Sequence, residues 1–516
     1  MLSDLGIGIF IALFIVFVFL GVWGRNYKKG DLSKMDEWAV GGRHFSVWIV
    51  WFLVGADLYT AYTFIAIPSS VFRFGAIYFY AVPYVALTFG VAMWAMPKLW
   101  KVSKEKGYVT AADFIKGYSK SRFLAVLVAI VGIVAELPYI GLQIVGMLSV
   151  MTVMLHGIGN IGLVTDTALI ISFVILAAFT FFNGLRGATL TAIFKDAIIL
   201  LSVAIVVIVV ASTTNIAHAF ALATVTGSTY SPSPPAHFNL LPTQFNAYWS
   251  LFLMSALALY LYPHAVTGSL SAKSPKVLRT SQSLLPLYGV GLAFLALFGV
   301  FVYANPSAMS FLTSNYNLAS RGTYVVPALI FYTLPSWLTG FAFLGIFIGG
   351  LVPASIMAIS QSNLLTSNII KEFRPNLKGS TETVIAKIAA VLFIFIAVGF
   401  VFLFPLTYSV QLQLLGGIII LQTLPSLFIG LITDKMHKYA LSLGLLVGLG
   451  FGFYFMEVAN HYSTWTTTLI QTNSEFGPFF IGLFALLANL IAVGVGTLVF
   501  SYAGKKGKVA PAQAKE

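Results

Sequence analysis

The 516-residue chain has no cysteine and few charged residues, which make up 9% of it. Without cysteine there is no disulfide, no thiol nucleophile and no cysteine-ligated metal. A soluble domain is about a quarter charged, whereas 59% of this chain is hydrophobic. The shortage of charge excludes an ordinary soluble protein and indicates a polytopic membrane protein.

Motifs for nucleotide or metal chemistry are also missing. The sequence has no glycine-rich phosphate loop with a lysine, and its seven histidines are scattered without a metal-ligand spacing. These absences exclude an ATP-driven pump. We therefore expect no catalytic residue, no cofactor and no metal other than a coupling ion.

Apolar runs long enough to cross a bilayer predict an all-α membrane protein of about thirteen spans. The predicted spans are residues 5–24, 45–70, 76–98, 122–155, 165–183, 188–212, 244–270, 283–304, 338–370, 385–404, 408–432, 438–458 and 478–502.

Basic residues are distributed unequally between the two sets of loops. With the N-terminus outside, the outer loops hold only Arg73 and Arg321, and the other loop lysines and arginines lie inside. This asymmetry predicts an outer N-terminus and a cytoplasmic C-terminus. The basic inner loops of a protein in a lipid bilayer account for the net charge of +13, so no nucleic-acid partner is needed to explain it.

Two spans are interrupted at corresponding positions. Span 2 carries polar residues and a proline between Asp57 and Pro68, and span 7 is interrupted at residues 260–264. Paired interruptions point to a transporter built from inverted repeats, although the two prolines can also be simple kinks. The predicted organisation is a first span and inner loop at 1–37, repeat 1 at 38–212, an extended outer loop at 213–243, repeat 2 at 244–432, spans 12 and 13 at 433–504, and a basic tail at 505–516.

Several short blocks are similar, in order, to one transporter family. They are Gly41-Gly42-Arg43, segment 56–68, segment 137–146, Gly184-Leu185-Arg186, Tyr262-Pro263-His264 with Ser271-Ala272-Lys273, segment 351–357 and segment 413–417. Together they resemble the sodium:solute symporter family and its monocarboxylate permease branch. The resemblance implies a multi-pass plasma-membrane protein with inverted five-helix repeats of the leucine-transporter type and cation-coupled uptake of lactate, pyruvate or propionate.

A small carboxylate needs hydrogen-bond donors, and the positive ends of half-helices at the two breaks supply some. Hydroxyl, imidazole and amide groups near the breaks are further candidates, although each can instead bond a neighbouring helix. The predicted substrate-binding residues are Tyr59, Thr60, Thr63, Tyr139, Gln143, Tyr260, Tyr262, His264 and Gln413.

The coupling cation is where this chain departs from the family. The resemblance implies a sodium ion held by carbonyls near the span 2 break, here Ala56 and Tyr59, and by two adjacent hydroxyl residues on span 9. In this chain the hydroxyl positions are Ala358 and Ile359, and Ser355 and Ser360 can contribute only in a different register. We expect a degraded sodium site.

Lys195 on span 6 offers a substitute. It lies one turn beyond Ala192, where the family often has an aspartate, and precedes Asp196. Its ammonium can occupy the vacated cation position and make the carrier proton-coupled. Alternatively, it pairs with Asp196 or extends to the inner surface.

Two other carboxylates lie within predicted spans. Asp57 belongs to the family motif, so we expect a structural or gating role first and proton transfer second. Glu136 has no counterpart in the resemblance, and intramembrane acids commonly serve proton relays.

Alternative functions are a sodium-coupled symporter of another solute, such as an amino acid or acetate, and a sensor or channel on a transporter scaffold. We expect a monomer or a weak homodimer.

Overall fold

The computed structural model describes residues 2–24, 30–55, 58–158, 160–230, 236–403, 409–463, 465–472, 475–503 and 507, which are almost entirely helical. The helices of the first half are α1 (Asp4–Trp23), α2 (Met35–Val40), α3 (Val47–Gly55), α4 (Ile67–Phe74), α5 (Ala81–Lys106), α6 (Ala111–Ser119), α7 (Arg122–Met154) and α8 (Ile161–Thr213).

The second half begins with a helix in the predicted outer loop. Its helices are α9 (Ile216–Tyr230), α10 (Phe245–Ala258), α11 (Pro263–Leu270), α12 (Pro275–Leu284), α13 (Pro286–Phe301), α14 (Pro306–Asn315), α15 (Val325–Thr333), α16 (Ser336–Asn363), α17 (Lys371–Phe373), α18 (Gly379–Leu403), α19 (Ser409–Ile420), α20 (Leu424–Leu427), α21 (Lys438–Ala459) and α22 (Ile481–Tyr502). Strands β1 (Leu469–Gln471) and β2 (Pro478–Phe480) form an antiparallel pair in which Leu469 is opposite Phe480.

The predicted spans agree closely with the helices. Among the described residues, 11 helices are long and apolar enough to cross a membrane, and the bent pair Pro242–Leu261 and Pro263–Leu270 adds a twelfth. These twelve coincide with every predicted span except span 2. That span consists of α3 and, beyond it, a π-helical turn at Tyr62–Ala66 followed by α4. The count of thirteen stays a prediction.

The expectation of an extended segment over 213–243 is wrong for residues 216–230, which form α9. The run Ser231-Pro232-Ser233-Pro234-Pro235, whose composition suggested an extended chain, lies outside the described residues. Residues 216–226 instead include four alanines and several large apolar side chains, a composition that favours helix.

Spans 5 and 6 form one long helix, α8, with a break at Gly184. The backbone of Gly184 has φ 54° and ψ −146°, a conformation that is almost exclusive to glycine. A Cβ there would lie 2.6 Å from the carbonyl oxygen of Trp38. Glycine at this position thus allows α2 to pack against the bend.

The long helix α16, predicted span 9, is buried along its whole apolar stretch and packs against α7 and α8. At one end of the bundle, the loops around Arg43, Tyr108, Ser271 and Glu372 meet, and we call this end the basic face. There the Arg43 guanidinium donates to the carbonyls of Leu270 and Tyr108. The backbone of Phe45 exchanges hydrogen bonds with Ser271 and Lys273.

Candidate functional site

The break in span 2 is stabilised by its own threonines. The Thr63 hydroxyl donates to the carbonyl of Leu58, and the Thr60 hydroxyl accepts the backbone N–H of Tyr62 at 3.1 Å. The backbone N–H of Ala61 donates to Gln143 Oε1 of α7 at 3.1 Å. Thr60, Thr63 and Gln143, three of the predicted substrate-binding residues, therefore satisfy the interrupted backbone in this conformation.

The break in span 7 is sharper. A short 3₁₀ turn, Leu259–Leu261, leads to an extended Tyr262 with φ −62° and ψ 138°, after which α11 begins at Pro263. The two parts of the span are bent by 55°. Proline suits this first helical position because its missing N–H would have no helical partner there.

Glu136 of α7 occupies the N-terminus of α11. Its Oε1 atom accepts the backbone N–H of His264 at 2.8 Å and lies 2.7 Å from the ring Nδ1 of the same residue. Ser360 of α16 is 2.9 Å from Oε2 and 3.0 Å from Oε1. Glu136 and His264 are completely buried, and Ser360 is 1% exposed. A carboxylate at a helix N-terminus is favoured by the helix dipole.

Both breaks are thus capped from the same helix. Gln143 binds the span 2 break and Glu136 binds the span 7 break. They are seven residues apart, about two helical turns, and so lie on the same face of α7.

Lys195 lies beside the span 2 break. Its Nζ donates to the carbonyl oxygen of Tyr59 at 2.8 Å and lies 3.0 Å from Asp196 Oδ1. The side chains of Lys195 and Asp196 are completely buried, so the ammonium does not reach the surface. Asp196 Oδ2 also accepts the hydroxyl of Tyr288 at 2.7 Å.

The span 9 positions that the resemblance assigned to sodium are Ala358 and Ile359, both completely buried. Ser355 shares a hydrogen bond of 2.8 Å with Thr180, whereas Ser360 points to Glu136. A hard cation prefers oxygen ligands, and the Ala358 and Ile359 side chains provide none. The predicted carbonyl of Ala56, and Asp57, lie outside the described residues.

Buried tyrosines fill the space between the breaks. The hydroxyls of Tyr62 and Tyr80 are 3.1 Å apart, and the ring of Tyr84 is 6.2 Å from that of Tyr62. The rings of Tyr139 and Tyr262 are 5.4 Å apart. We call these five residues the tyrosine group. Tyr62, Tyr80 and Tyr84 are not among the candidates predicted from the sequence. Tyr80 and Tyr84 lie four residues apart within predicted span 3, and this spacing could have indicated a shared helix face.

The remaining predicted substrate-binding residues are Tyr260, Tyr262 and Gln413. Tyr260 turns away from the tyrosine group and donates to Gln282. Tyr262 donates to the carbonyl of Gln413 at 3.1 Å. Within the described part of the chain, the buried Oε1 of Gln413 has no hydrogen-bond partner, and it is therefore an available acceptor beside the tyrosine group.

The basic face contains a vestibule of about 800 Å³, lined by residues that include Asp36, Tyr108, Asp113 and Glu372. Deeper in the protein, a cavity of about 20 Å³ lies between Thr110, Pro263 and Ser360. That volume is room for about one water molecule.

Comparison with known proteins agrees with this architecture. A model of the sodium:solute symporter family matches residues 38–433. The chain is 37% identical, over 96% of its length and 98% of the relative's, to a protein of Rhizobium johnstonii named monocarboxylate transport permease protein. It is 35% identical, over 91% of its length and 88% of the relative's, to the uncharacterized symporter YodF of Bacillus subtilis.

One solved structure confirms the fold. The structure of a Na⁺-coupled sialic acid symporter in a substrate-bound outward-open state aligns over 100% of both chains with a TM-score of 0.75, at 13% identity. The prediction of an all-α transporter with inverted five-helix repeats is therefore confirmed.

Proposed function

The chain belongs to the sodium:solute symporter family, and from this premise we propose that it imports small monocarboxylates, such as lactate, pyruvate or propionate, together with protons. The family makes it a cation-coupled symporter. The substrate class is supported by the 37% identity to a relative named for monocarboxylate transport, over 96% of this chain.

The tyrosine group suits a small carboxylic acid. Its phenols are hydrogen-bond donors within a buried aromatic environment, and the Oε1 of Gln413 is an acceptor for a substrate hydroxyl or a protonated carboxyl. The group is densely packed, with hydroxyls of Tyr62 and Tyr80 in mutual contact at 3.1 Å. A solute that binds there has to be small enough to separate these side chains.

Proton coupling is supported by one observation, the contact of 2.8 Å between the Lys195 ammonium and the Tyr59 carbonyl. The family resemblance implies that this carbonyl is a sodium ligand, so the ammonium takes the place of the ion. Protonation of Lys195 would then correspond to cation binding, and deprotonation to cation release.

The proposed location is the plasma membrane, with the basic face in the cytoplasm. The vestibule is lined by Lys116, Lys120, Arg122 and Lys371, and basic loops remain on the cytoplasmic side. The N-terminus is then outside.

The test is uptake of labelled lactate into proteoliposomes that contain the purified protein. We expect accumulation with an inward proton gradient in sodium-free buffer, and none with a sodium gradient at equal pH on both sides. Accumulation that requires sodium would contradict proton coupling. Failure to accumulate lactate, pyruvate or propionate under either gradient would contradict the substrate class.

A further inference from the structure

Glu136, His264 and Ser360 connect three separate spans through buried polar contacts. Glu136 is on α7, His264 is the second residue of α11, and Ser360 is on α16. They are completely or almost completely buried. The proposed lysine mechanism does not use this cluster, and a buried titratable pair in a membrane protein is costly enough to require an explanation.

The contacts show where an added proton would bind. Glu136 Oε1 accepts the backbone N–H of His264, so it faces donors and is a poor position for a proton. The ring Nδ1 of His264 also faces this oxygen at 2.7 Å, so with Glu136 ionised Nδ1 is the donor and carries the ring hydrogen. The remaining positions for a proton are Glu136 Oε2 and His264 Nε2.

Ser360 is placed to accommodate both states of Glu136. Its hydroxyl has one hydrogen and three acceptors within reach: Met357 O at 2.7 Å, Glu136 Oε2 at 2.9 Å and Glu136 Oε1 at 3.0 Å. It donates to an ionised carboxylate. When the carboxyl is protonated, the hydroxyl can rotate to Met357 and accept the proton of Oε2.

A path connects this cluster with the basic face. The cavity of about 20 Å³ touches Ser360 and Pro263 on one side and Thr110 on the other. The Thr110 hydroxyl bonds Asn368 at 2.7 Å, and Asn368 bonds Asp113 at 2.6 Å. Asp113 lines the vestibule. The lining of the cavity is mainly apolar, with Thr267 and Thr423 as its other polar residues, and a water molecule in it would complete the path from Ser360 to Thr110.

We propose that Glu136, His264 and Ser360 form a proton-binding site, reached from the basic face through this cavity, and that its protonation releases α11 from α7. An ionised Glu136 stabilises the positive end of α11 and pairs with His264, whereas a protonated Glu136 does neither. Release of α11 opens the route between the tyrosine group and the vestibule.

The titratable groups around Glu136 come from two elements. His264 and Tyr262 belong to broken span 7, and Tyr139 is one turn along α7. The α16 helix contributes the hydroxyl of Ser360 and the amide of Gln361, which binds the carbonyl of Ile133. The carboxylate of Asp113 lies beyond the cavity.

The absence of cysteine from the chain makes a direct test simple. Thr267 lies on α11 and lines the cavity, so Thr267→Cys reports the release of this helix. Purified protein in detergent is labelled with a polar methanethiosulfonate reagent between pH 5 and pH 8. The rate for an exposed thiol rises with pH, because the thiolate reacts. The thiolate fraction falls about tenfold for each pH unit below the thiol pKa, so each rate is divided by the rate of Lys435→Cys, an exposed loop position outside the vestibule.

We expect the ratio of the Thr267→Cys rate to the Lys435→Cys rate to rise on the order of tenfold towards acid pH, the size typical of losing one charge at a partly buried helix end. Adding Glu136→Gln should make this ratio high over the whole pH range. Adding Glu136→Asp, which keeps a titratable carboxyl, should preserve the rise.

Two results would overturn the proposal. One is a ratio of Thr267→Cys to Lys435→Cys labelling that does not rise towards acid pH, and the other is Glu136→Asp behaving like Glu136→Gln, since packing alone would then explain the effect. The assay needs no substrate and no intact Lys195 chemistry. Its failure is therefore distinguishable from failure of the proposed monocarboxylate transport.

Discussion

Replacement of Lys195 by methionine is the most informative single change, because it affects stability and coupling through the same contacts. Lys195 donates to Tyr59 O at 2.8 Å and lies 3.0 Å from Asp196 Oδ1, with both charged side chains completely buried. Methionine preserves the length of the side chain and removes the charge. Removing one partner of a buried ion pair typically costs about 3–5 kcal/mol, because the other charge is left uncompensated.

We therefore expect Lys195→Met to lower the free energy of unfolding by about 3–5 kcal/mol, measured by SDS titration of the purified protein in mixed micelles. In proteoliposomes, the variant should lose lactate accumulation driven by a proton gradient. Exchange of internal for external lactate should continue, because exchange needs no net movement of the coupling ion.

The matched control is Lys195→Met combined with Asp196→Asn. Asparagine retains an oxygen for the hydroxyl of Tyr288, which lies 2.7 Å from Asp196, and no buried charge remains. The double variant should recover most of the lost stability, since replacing both partners is often close to neutral. It should still lack proton-driven accumulation. Two results together would refute the reasoning. One is that Lys195→Met lowers the free energy of unfolding by less than about 1 kcal/mol, well under the cost of an unpaired buried charge. The other is that its proton-driven accumulation is intact.

Three further changes test other parts of the site. Gln143→Leu leaves the backbone N–H at the span 2 break without its acceptor, so thermal stability in detergent should fall by an amount equivalent to about 1–3 kcal/mol, whereas Gln143→Glu retains an acceptor and should lose less. Tyr262→Phe removes one phenol from the tyrosine group, and the KM for lactate uptake should rise about tenfold, as expected for one net hydrogen bond; an unchanged KM would exclude this hydroxyl from substrate binding. Gly184→Ala places a Cβ 2.6 Å from the carbonyl oxygen of Trp38 at a positive φ, so the yield of folded protein on size-exclusion chromatography should fall sharply. The control Gly450→Ala should fold normally, because no atom lies within 4 Å of the added Cβ.

Hydropathy was sufficient to predict most of the fold. Apolar runs near the length of a bilayer, separated by polar loops, located twelve helices closely. Prolines and polar residues inside two of these runs predicted the breaks. The helix at 216–230 was missed because composition was averaged over a long segment that also contains a serine- and proline-rich run.

The pairing of site residues was much less predictable. Glu136 and His264 were recognised separately, as an ion-coupling and a substrate-binding candidate, yet they are 128 residues apart in the chain. Their contact depends on how α7 packs against the span 7 break, and periodicity within one helix contains no such information. Lys195 was different because the family register already placed it near the cation position.

The two half-helix ends are not equivalent sites for a substrate carboxylate. At the span 7 break, the N-terminus of α11 already faces the carboxylate of Glu136, which accepts the His264 N–H at 2.8 Å. A second carboxylate nearby would repel it unless one of the two were protonated. At the span 2 break, the cap is the neutral amide of Gln143, 3.1 Å from the Ala61 nitrogen. An anion is therefore better tolerated near span 2, and a proton on Glu136 is the condition under which the end near α11 accepts one.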